Sequence, residues 1–209
     1  MGLLVKDKGF NREPLEAGIY PAVCYSVVDL GLQESTYRVQ HKVMIGWELP
    51  TEEIEFDKDG ETQTGKRLVS NFYTLSLNKQ AKLRQHLEAW RGKKFTDTEL
   101  EGFDLKSLIG VNCQLQIAVE DKPNGPVNQV SMVLPKEKGA NYKLENDTEF
   151  FSFEDCEKPE DLQVVEWKEK LVKKSLNWKQ LTDPVKVPKA VEQAVTGDDF
   201  GDDDSGLPF

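Results

Sequence analysis

The spacing of apolar residues predicts a β-rich domain between residues 18 and 135. Gly18–Leu30 is rich in β-branched and aromatic residues and ends at Gly31, which is typical of a strand. Tyr37–Leu49 alternates, with Arg38, Gln40 and Lys42 on one face and Tyr37, Val39, Val43, Ile45 and Trp47 on the other, which predicts a core. Glu53–Phe56, an acidic turn at residues 57–60 and Lys66–Leu77 then predict a hairpin between strands two and three.

The next segment predicts a helix followed by two more strands. Asn78–Trp90 places Leu83, Leu87 and Trp90 on one helical face, and Gly92 ends it. Thr96–Glu99 has the sequence of a capping box, and residues 104–109 predict a further helical turn. Val111–Val119 alternates cleanly and Val127–Leu134 follows as its partner. Three strands, one helix and two strands is the element order of the five-stranded Greek-key barrel called the OB-fold, so we expect a mainly β protein of that class.

The remaining chain divides into an extension and a linker. Within residues 136–180, Tyr142–Phe153 contains a candidate edge strand, and Pro159–Ser175 predicts an amphipathic helix. Its apolar face would carry Leu162, Val165, Leu171 and Val172, and its solvated face the lysines at 168, 170, 173 and 174. Residues 181–209 have the composition of a disordered acidic linker. The expected organisation is an N-terminal extension (1–17), a barrel domain (18–135), a C-terminal extension (136–180) and a tail (181–209).

The net charge of −10 is concentrated at the C-terminus. Residues 1–135 carry 16 basic and 19 acidic residues, residues 136–196 carry 11 and 13, and the last thirteen carry none and five. The body is therefore close to neutral. Because local patches set the field that a phosphate backbone experiences, the global charge argues only weakly against a nucleic-acid partner.

Several classes of protein are disfavoured by composition. Three widely spaced cysteines and two histidines do not match a zinc-ligand pattern or a disulfide framework, so we expect no metal and a reducing, cytoplasmic location. No apolar run reaches the roughly 20 residues of a membrane span, and the N-terminus lacks a signal-peptide core. The chain has no phosphate-binding glycine motif and no nucleophile elbow. We therefore expect neither an enzyme nor a cofactor.

The C-terminus combines charge with an apolar end. Asp202, Asp203 and Asp204 are followed, after Ser205-Gly206, by Leu207, Pro208 and Phe209. A terminal ring and carboxylate suit capture by a pocket with a basic rim. This segment resembles the acidic tip of bacterial single-stranded DNA-binding proteins, which end Asp-Asp-Asp-Ile-Pro-Phe; Leu207 replaces the isoleucine and Ser205-Gly206 is inserted. The resemblance implies binding to single-stranded DNA and recruitment of replication, recombination and repair proteins. It covers about ten residues and the element order, and fits a bacteriophage-encoded relative acting in a bacterial host.

A DNA surface in this fold would lie on strands two and three, flanked by the loops between strands one and two and strands four and five. Basic and aromatic residues are the types that hold single strands. The candidates are Arg38 and Lys42 on strand two, Lys66, Arg67, Phe72 and Tyr73 on strand three, and Lys122 in the later loop. Phe72 and Tyr73 are adjacent and so face opposite sides; Ser70 and Thr74 share the Phe72 face, which favours Phe72 as the stacking platform.

Other interpretations of these features stay open. One cluster has two interpretations: it would either extend the surface that contacts the DNA phosphates or place cations at a helix C-terminus. It consists of Arg91, Lys93, Lys94 and Phe95. The tail could be a solubilising segment. The whole chain could also be an acidic protein-interaction module or DNA mimic that docks on a host protein, which a sheet face carrying acids would indicate. Strand annealing would use the same surface. The sequence does not fix the oligomeric state, a homo-oligomer included.

Overall fold

A computed structural model describes residues 14–35, 38–58, 61–123 and 125–183. Their strands and helices come in the predicted order, with a helix between the third and fourth strands. The strands are β1 (Gly18–Glu34), β2 (Val39–Lys58), β3 (Glu61–Thr74), β4 (Asn112–Lys122), β5 (Gly125–Pro135) and β6 (Glu149–Phe151). The helices are α1 (Lys82–Arg91), α2 (Asp97–Glu101), α3 (Glu166–Val172) and α4 (Leu176–Thr182), with 3₁₀ turns at Leu105–Leu108 and Pro159–Asp161.

All six strands form one sheet in the order β3-β2-β1-β4-β5, with β6 added to β1. Neighbouring strands are antiparallel except for β6, which runs parallel to β1. The sheet is open: within the described residues no backbone ladder joins β3 to β5. The two strands nevertheless approach each other, and the Asn71 side-chain amide donates a hydrogen bond to the Val130 carbonyl at 3.4 Å. The mainly β class is confirmed.

The inner face of the sheet forms the first hydrophobic core. The predicted alternation on β2 is confirmed, because Val43, Ile45 and Trp47 are all buried there. Helix α1 covers this core with its predicted apolar face, and the Trp47 and Trp90 ring centroids lie 6.0 Å apart. The helix begins at Lys82, later than the predicted Asn78, and ends at Gly92 in the left-handed conformation (φ 65°), which glycine adopts without steric cost. The Thr96–Glu99 capping box is also present.

The outer face of β1 and β2 forms a second core with the C-terminal extension. Residues 149–181 of the extension lie over Val28, Leu30 and Met44, and the buried contacts come from Phe151, Leu171, Val172 and Trp178. The two approach closely at Gly31, where a Cβ atom would lie 2.7–2.9 Å from side-chain atoms of Phe153, Asn177 and Ser175. The extension is therefore packed against the predicted barrel domain.

The single amphipathic helix predicted over Pro159–Ser175 is wrong. A 3₁₀ turn, α3 and α4 occupy this region, and α4 continues to Thr182, past the predicted start of the linker at residue 181. Val165 is extended rather than helical, so α3 starts only after it. The Ser175 hydroxyl accepts a hydrogen bond from the Trp178 N–H and begins a new helix, as serine does at an N-cap. In the part of the chain that is described, no helix has the length and apolarity to cross a membrane.

Candidate nucleic-acid interface

The outer face of β2 and β3 carries most of the predicted site residues. Successive cross-strand pairs place Lys42 opposite Thr74, Met44 opposite Phe72, and Gly46 opposite Ser70. The Lys42 ammonium donates to the Thr74 hydroxyl at 3.1 Å. Because alternate residues of a strand share a face, Lys66 lies on this same side, about 26 Å from Thr74 at roughly 3.3 Å per residue. The face thus provides a strip of cations, small residues and one aromatic ring.

Lys66 sits in this strip beside two carboxylates. Its ammonium lies 2.8 Å from a Glu53 oxygen and 3.7 Å from a Glu145 oxygen, and its side chain is only 13% exposed. The hydrogen bond to Glu53 raises the pKa of Lys66. The charge of Lys66 is therefore largely offset within the protein.

Arg67 faces the opposite side of β3 from Lys66. Strand alternation groups it with Val69 and Tyr73, which belong to the first core, and it pairs across the sheet with the buried Leu49. Burial and Glu52 raise the pKa of the Tyr20 phenol, while Arg67 opposes them, so Arg67 lies near the start of β1. Lys66 and Arg67 therefore face opposite sides of β3, and of these two candidates Lys66 is the one that belongs to the strip.

The adjacent aromatic residues Phe72 and Tyr73 face opposite sides of β3, as the alternation of side chains along a strand requires. Tyr73 is 2% exposed in the first core, and its hydroxyl is hydrogen-bonded to His86 Nδ1 at 2.9 Å. Its inclusion among the DNA-binding residues is therefore wrong for this conformation, because a buried ring has no free face for a base. Phe72 points outward and is half-buried, and packs against the second core. Of the two rings, Phe72 is therefore better placed to stack on a base.

The remaining predicted cations lie at opposite ends of the sheet. Arg38 and Lys42 are at the end where β1 passes into β2, next to His41, whose Nε2 lies 2.6 Å from an Asp29 oxygen. Lys122 is near the tip of the β4–β5 hairpin, 53% exposed and 3.8 Å from Glu120. Lys42 belongs to the strip and Arg38 precedes it by four residues, whereas Lys122 lies at the other end of the sheet, so the predicted cations do not form one compact cluster. Tyr37 lies outside the described residues.

The extension contributes buried polar contacts that the sequence interpretation missed. The Glu48 carboxylate is fully buried and accepts hydrogen bonds from the backbone N–H groups of Glu145 and Asn146. Lys168, predicted on the solvated face, is 1% exposed. Its ammonium donates to the Tyr25 hydroxyl at 3.1 Å, to the Ser26 hydroxyl at 2.9 Å and to Glu149.

Burial lowers the pKa of Lys168, and the hydrogen bond to Glu149 counteracts that effect. A signal for the burial was available in the sequence. Lys168 precedes Leu171 by three residues and Val172 by four, so helical spacing places it on their face. The solvated-face prediction for Lys168 is therefore wrong, because hydrogen-bond partners on β1 and β6 offset the cost of burying its charge.

The Arg91 cluster is engaged within the protein. The guanidinium lies 4.5 Å from the Phe95 ring centroid and 5.1 Å from that of Phe103, and it donates to Glu99. Lys93 also lies 3.4 Å from Glu99. A backbone hydrogen bond from Thr96 and the nearby cations lower the pKa of Glu99 to about 2. These contacts favour a structural role for Arg91 and Phe95 over a role in contacting DNA phosphates.

The tail residues Asp202, Asp203, Asp204, Leu207, Pro208 and Phe209 lie outside the described residues. Across the described ranges, no group of three or more histidine, cysteine, aspartate or glutamate side chains is arranged to hold a metal ion. The chain matches no protein-family model, and no curated protein or solved structure shows significant similarity to it.

Proposed function

We propose that this protein coats single-stranded DNA without sequence preference and recruits replication, recombination or repair proteins through its acidic C-terminal tip. The observation that carries the proposal is the terminal sequence, in which Asp202–Asp204 precede Leu207, Pro208 and Phe209. Acids alone would serve solubility, but an apolar Leu-Pro-Phe segment directly after an acidic run suits a pocket with a basic rim on another protein. We further propose that the protein is phage-encoded and acts in the bacterial cytoplasm.

The strand order supports an OB-type barrel as the DNA-binding element. The chain passes through three antiparallel strands, a helix that covers the core, and two further strands. Closure would occur between β3 and β5, where Asn71 contacts the Val130 carbonyl. OB-folds are partly open barrels, so a side-chain contact in place of a full ladder is compatible with the class.

The outer face of β2 and β3 supports the same function. Lys42 lies at one end of the strip with Phe72 next to it. Met44 and Gly46 on β2 are buried, so the accessible part of the strip is Lys42 with Ser70, Phe72 and Thr74 on β3. A single strand needs cations for phosphates and a π-face for bases. The one carboxylate on this face of β2 between residues 42 and 48, Glu48, is buried and bonded to the extension. Exposed carboxylates of Glu53 and Glu145 lie beside Lys66 at the far end of the strip, so the Lys42 end is the part of this face that favours DNA binding over DNA mimicry.

The proposal is tested by titrating labelled single-stranded oligonucleotides of two unrelated sequences with the full-length protein at low salt. We expect equal binding of both, weakened by Lys42→Ala and by Arg38→Ala. Lys138→Ala, which removes an exposed lysine in the turn after β5, is the matched control and should leave affinity unchanged. Absence of binding at low salt, or equal effects of all three variants, would overturn the proposal.

A further inference from the structure

Trp167 differs from the other tryptophans of the chain in its exposure. The chain has four tryptophans, and Trp47, Trp90 and Trp178 are 0%, 5% and 9% exposed. Trp167 is 45% exposed. Its neighbour Val165 is 49% exposed, so the beginning of α3 presents an apolar surface with one large aromatic ring. Of the four tryptophans, Trp167 therefore has by far the largest solvent-exposed fraction.

The ring is carried by a helix that is fixed to the sheet. The next residue, Lys168, is buried in hydrogen bonds to Tyr25, Ser26 and Glu149. Leu171 and Val172, one turn later, are buried in the second core. Trp167 therefore projects from an element whose position is determined by the packing of its buried face, which is what a preorganised binding residue requires.

Trp167 belongs to the same outer face as the predicted strip. The Lys168 ammonium lies 4.7 Å from the Tyr25 ring centroid and 5.5 Å from that of Trp167, so both rings flank one cation above β1. The second core, to which α3 contributes, also contacts Phe72 on β3. The extension thus carries an exposed ring over β1, on the side of the sheet to which Phe72 also points.

The charge around Trp167 suits a phosphate backbone. Residues 166–179 carry five lysines and two glutamates, and four lysines remain when Lys168, which is buried and paired with Glu149, is set aside. Lys170 is three residues after Trp167 and therefore on its side of α3, with 68% of its side chain exposed. Its partner Glu166 is also highly exposed, so water and phosphates can compete with this ion pair.

We propose that Trp167 is the principal base-stacking residue of this protein, with Lys170 contacting the adjacent phosphate. The proposal rests on the proposed function and assigns to the C-terminal extension part of the DNA surface that the fold class would place on the barrel alone. Stacking on an aromatic ring does not depend on base identity, which agrees with non-specific coating.

Tryptophan fluorescence of the full-length protein tests this directly. Acrylamide should quench mainly Trp167, and an oligothymidylate of about 16 nucleotides, the upper site size of one OB-fold, should protect it. Trp167→Phe should abolish both effects, whereas Trp178→Phe should preserve them. In anisotropy titrations with the same oligonucleotide, Trp167→Ala should lower affinity about 5- to 150-fold. Val165→Ala, which shortens an equally exposed side chain without a π-face, should leave affinity unchanged.

The outcomes separate this inference from the proposed function. If the wild-type protein does not bind the oligonucleotide, both proposals fail. If it binds, but Trp167→Ala binds as tightly and acrylamide still quenches Trp167 in the complex, the inference alone fails. Trp167 would then be assigned to a protein partner. Because the ring is exposed, both Trp167 variants should keep the wild-type melting temperature, and Trp167→Phe should retain most of the affinity if Trp167→Ala loses it.

Discussion

Replacing Lys168 with methionine should destabilise the protein far more than a surface lysine substitution. The ammonium is almost completely buried and donates to Tyr25, Ser26 and Glu149. Methionine keeps most of the side-chain volume but leaves Glu149 without its cation and both hydroxyls without this donor. Breaking a buried ion pair from one side costs about 3–5 kcal/mol.

We expect the lower end of that range for Lys168→Met. The Glu149 side chain is 12% exposed and keeps hydrogen bonds from the Val165 N–H and the Ser26 hydroxyl. A loss of about 3 kcal/mol is large for a domain whose total stability is about 5–15 kcal/mol. Urea unfolding followed by circular dichroism gives the free energy of unfolding, and the same curve followed by tryptophan fluorescence, which reports all four tryptophans, checks that both cores unfold together.

Two further variants decide whether the buried pair is responsible. Lys170→Met changes the same residue type two positions later, where the side chain is exposed and paired only with Glu166, and should cost about 0.5 kcal/mol or less. Adding Glu149→Gln to Lys168→Met removes the uncompensated charge and should recover part of the loss. If Lys168→Met is as mild as Lys170→Met, the buried network is refuted.

Three other predictions follow from the site and the loops. Phe72→Ala should weaken single-strand binding by about 1–3 kcal/mol and, because the ring is half-buried on the second core, stability by about 1–2 kcal/mol; unchanged affinity in anisotropy titrations would count against the platform. Glu99 has its pKa lowered from 4.5 to about 2, so its stabilising effect is present above pH 4.5 and lost as the pH falls toward 2. Glu99→Gln should therefore flatten the acid side of the melting-temperature profile, and parallel profiles would exclude this role. Deleting residues 198–209 removes five carboxylates and Phe209; DNA affinity should hold or rise, less so at high salt, while partner binding is lost in pull-downs. A fall in DNA affinity would make the tail part of the binding surface.

The strands were predictable because their residues alternate. Val43, Ile45 and Trp47 face the core as the period of two required, and the same rule separated Phe72 from Tyr73. The order of elements followed from turn residues and the helical spacing of Leu83, Leu87 and Trp90. These signals are local, so a sequence alone carries them.

The role of the extension was not predictable by the same means. Its burial depends on contacts between residues far apart in the chain, such as Lys168 with Ser26 and Asn146 with Glu48, which are 142 and 98 positions apart. A charged residue on an apolar helical face has two interpretations until its partners are known, and those partners lie on distant strands. The helix break at Ser175 was similarly hidden, because serine is tolerated in a helix and also favoured at an N-cap.

The salt dependence of oligonucleotide binding tests the central claim most directly. The dissociation constant of the full-length protein for a labelled single-stranded oligonucleotide is measured by anisotropy over a series of salt concentrations. Counterion release predicts that the logarithm of the association constant falls linearly with the logarithm of salt concentration, with a slope of about −0.7 for each phosphate neutralised. Lys42→Ala should make the slope shallower by about that amount for its single contact. A flat profile, or no binding at the lowest salt concentration, would contradict the claim that this protein binds single-stranded DNA.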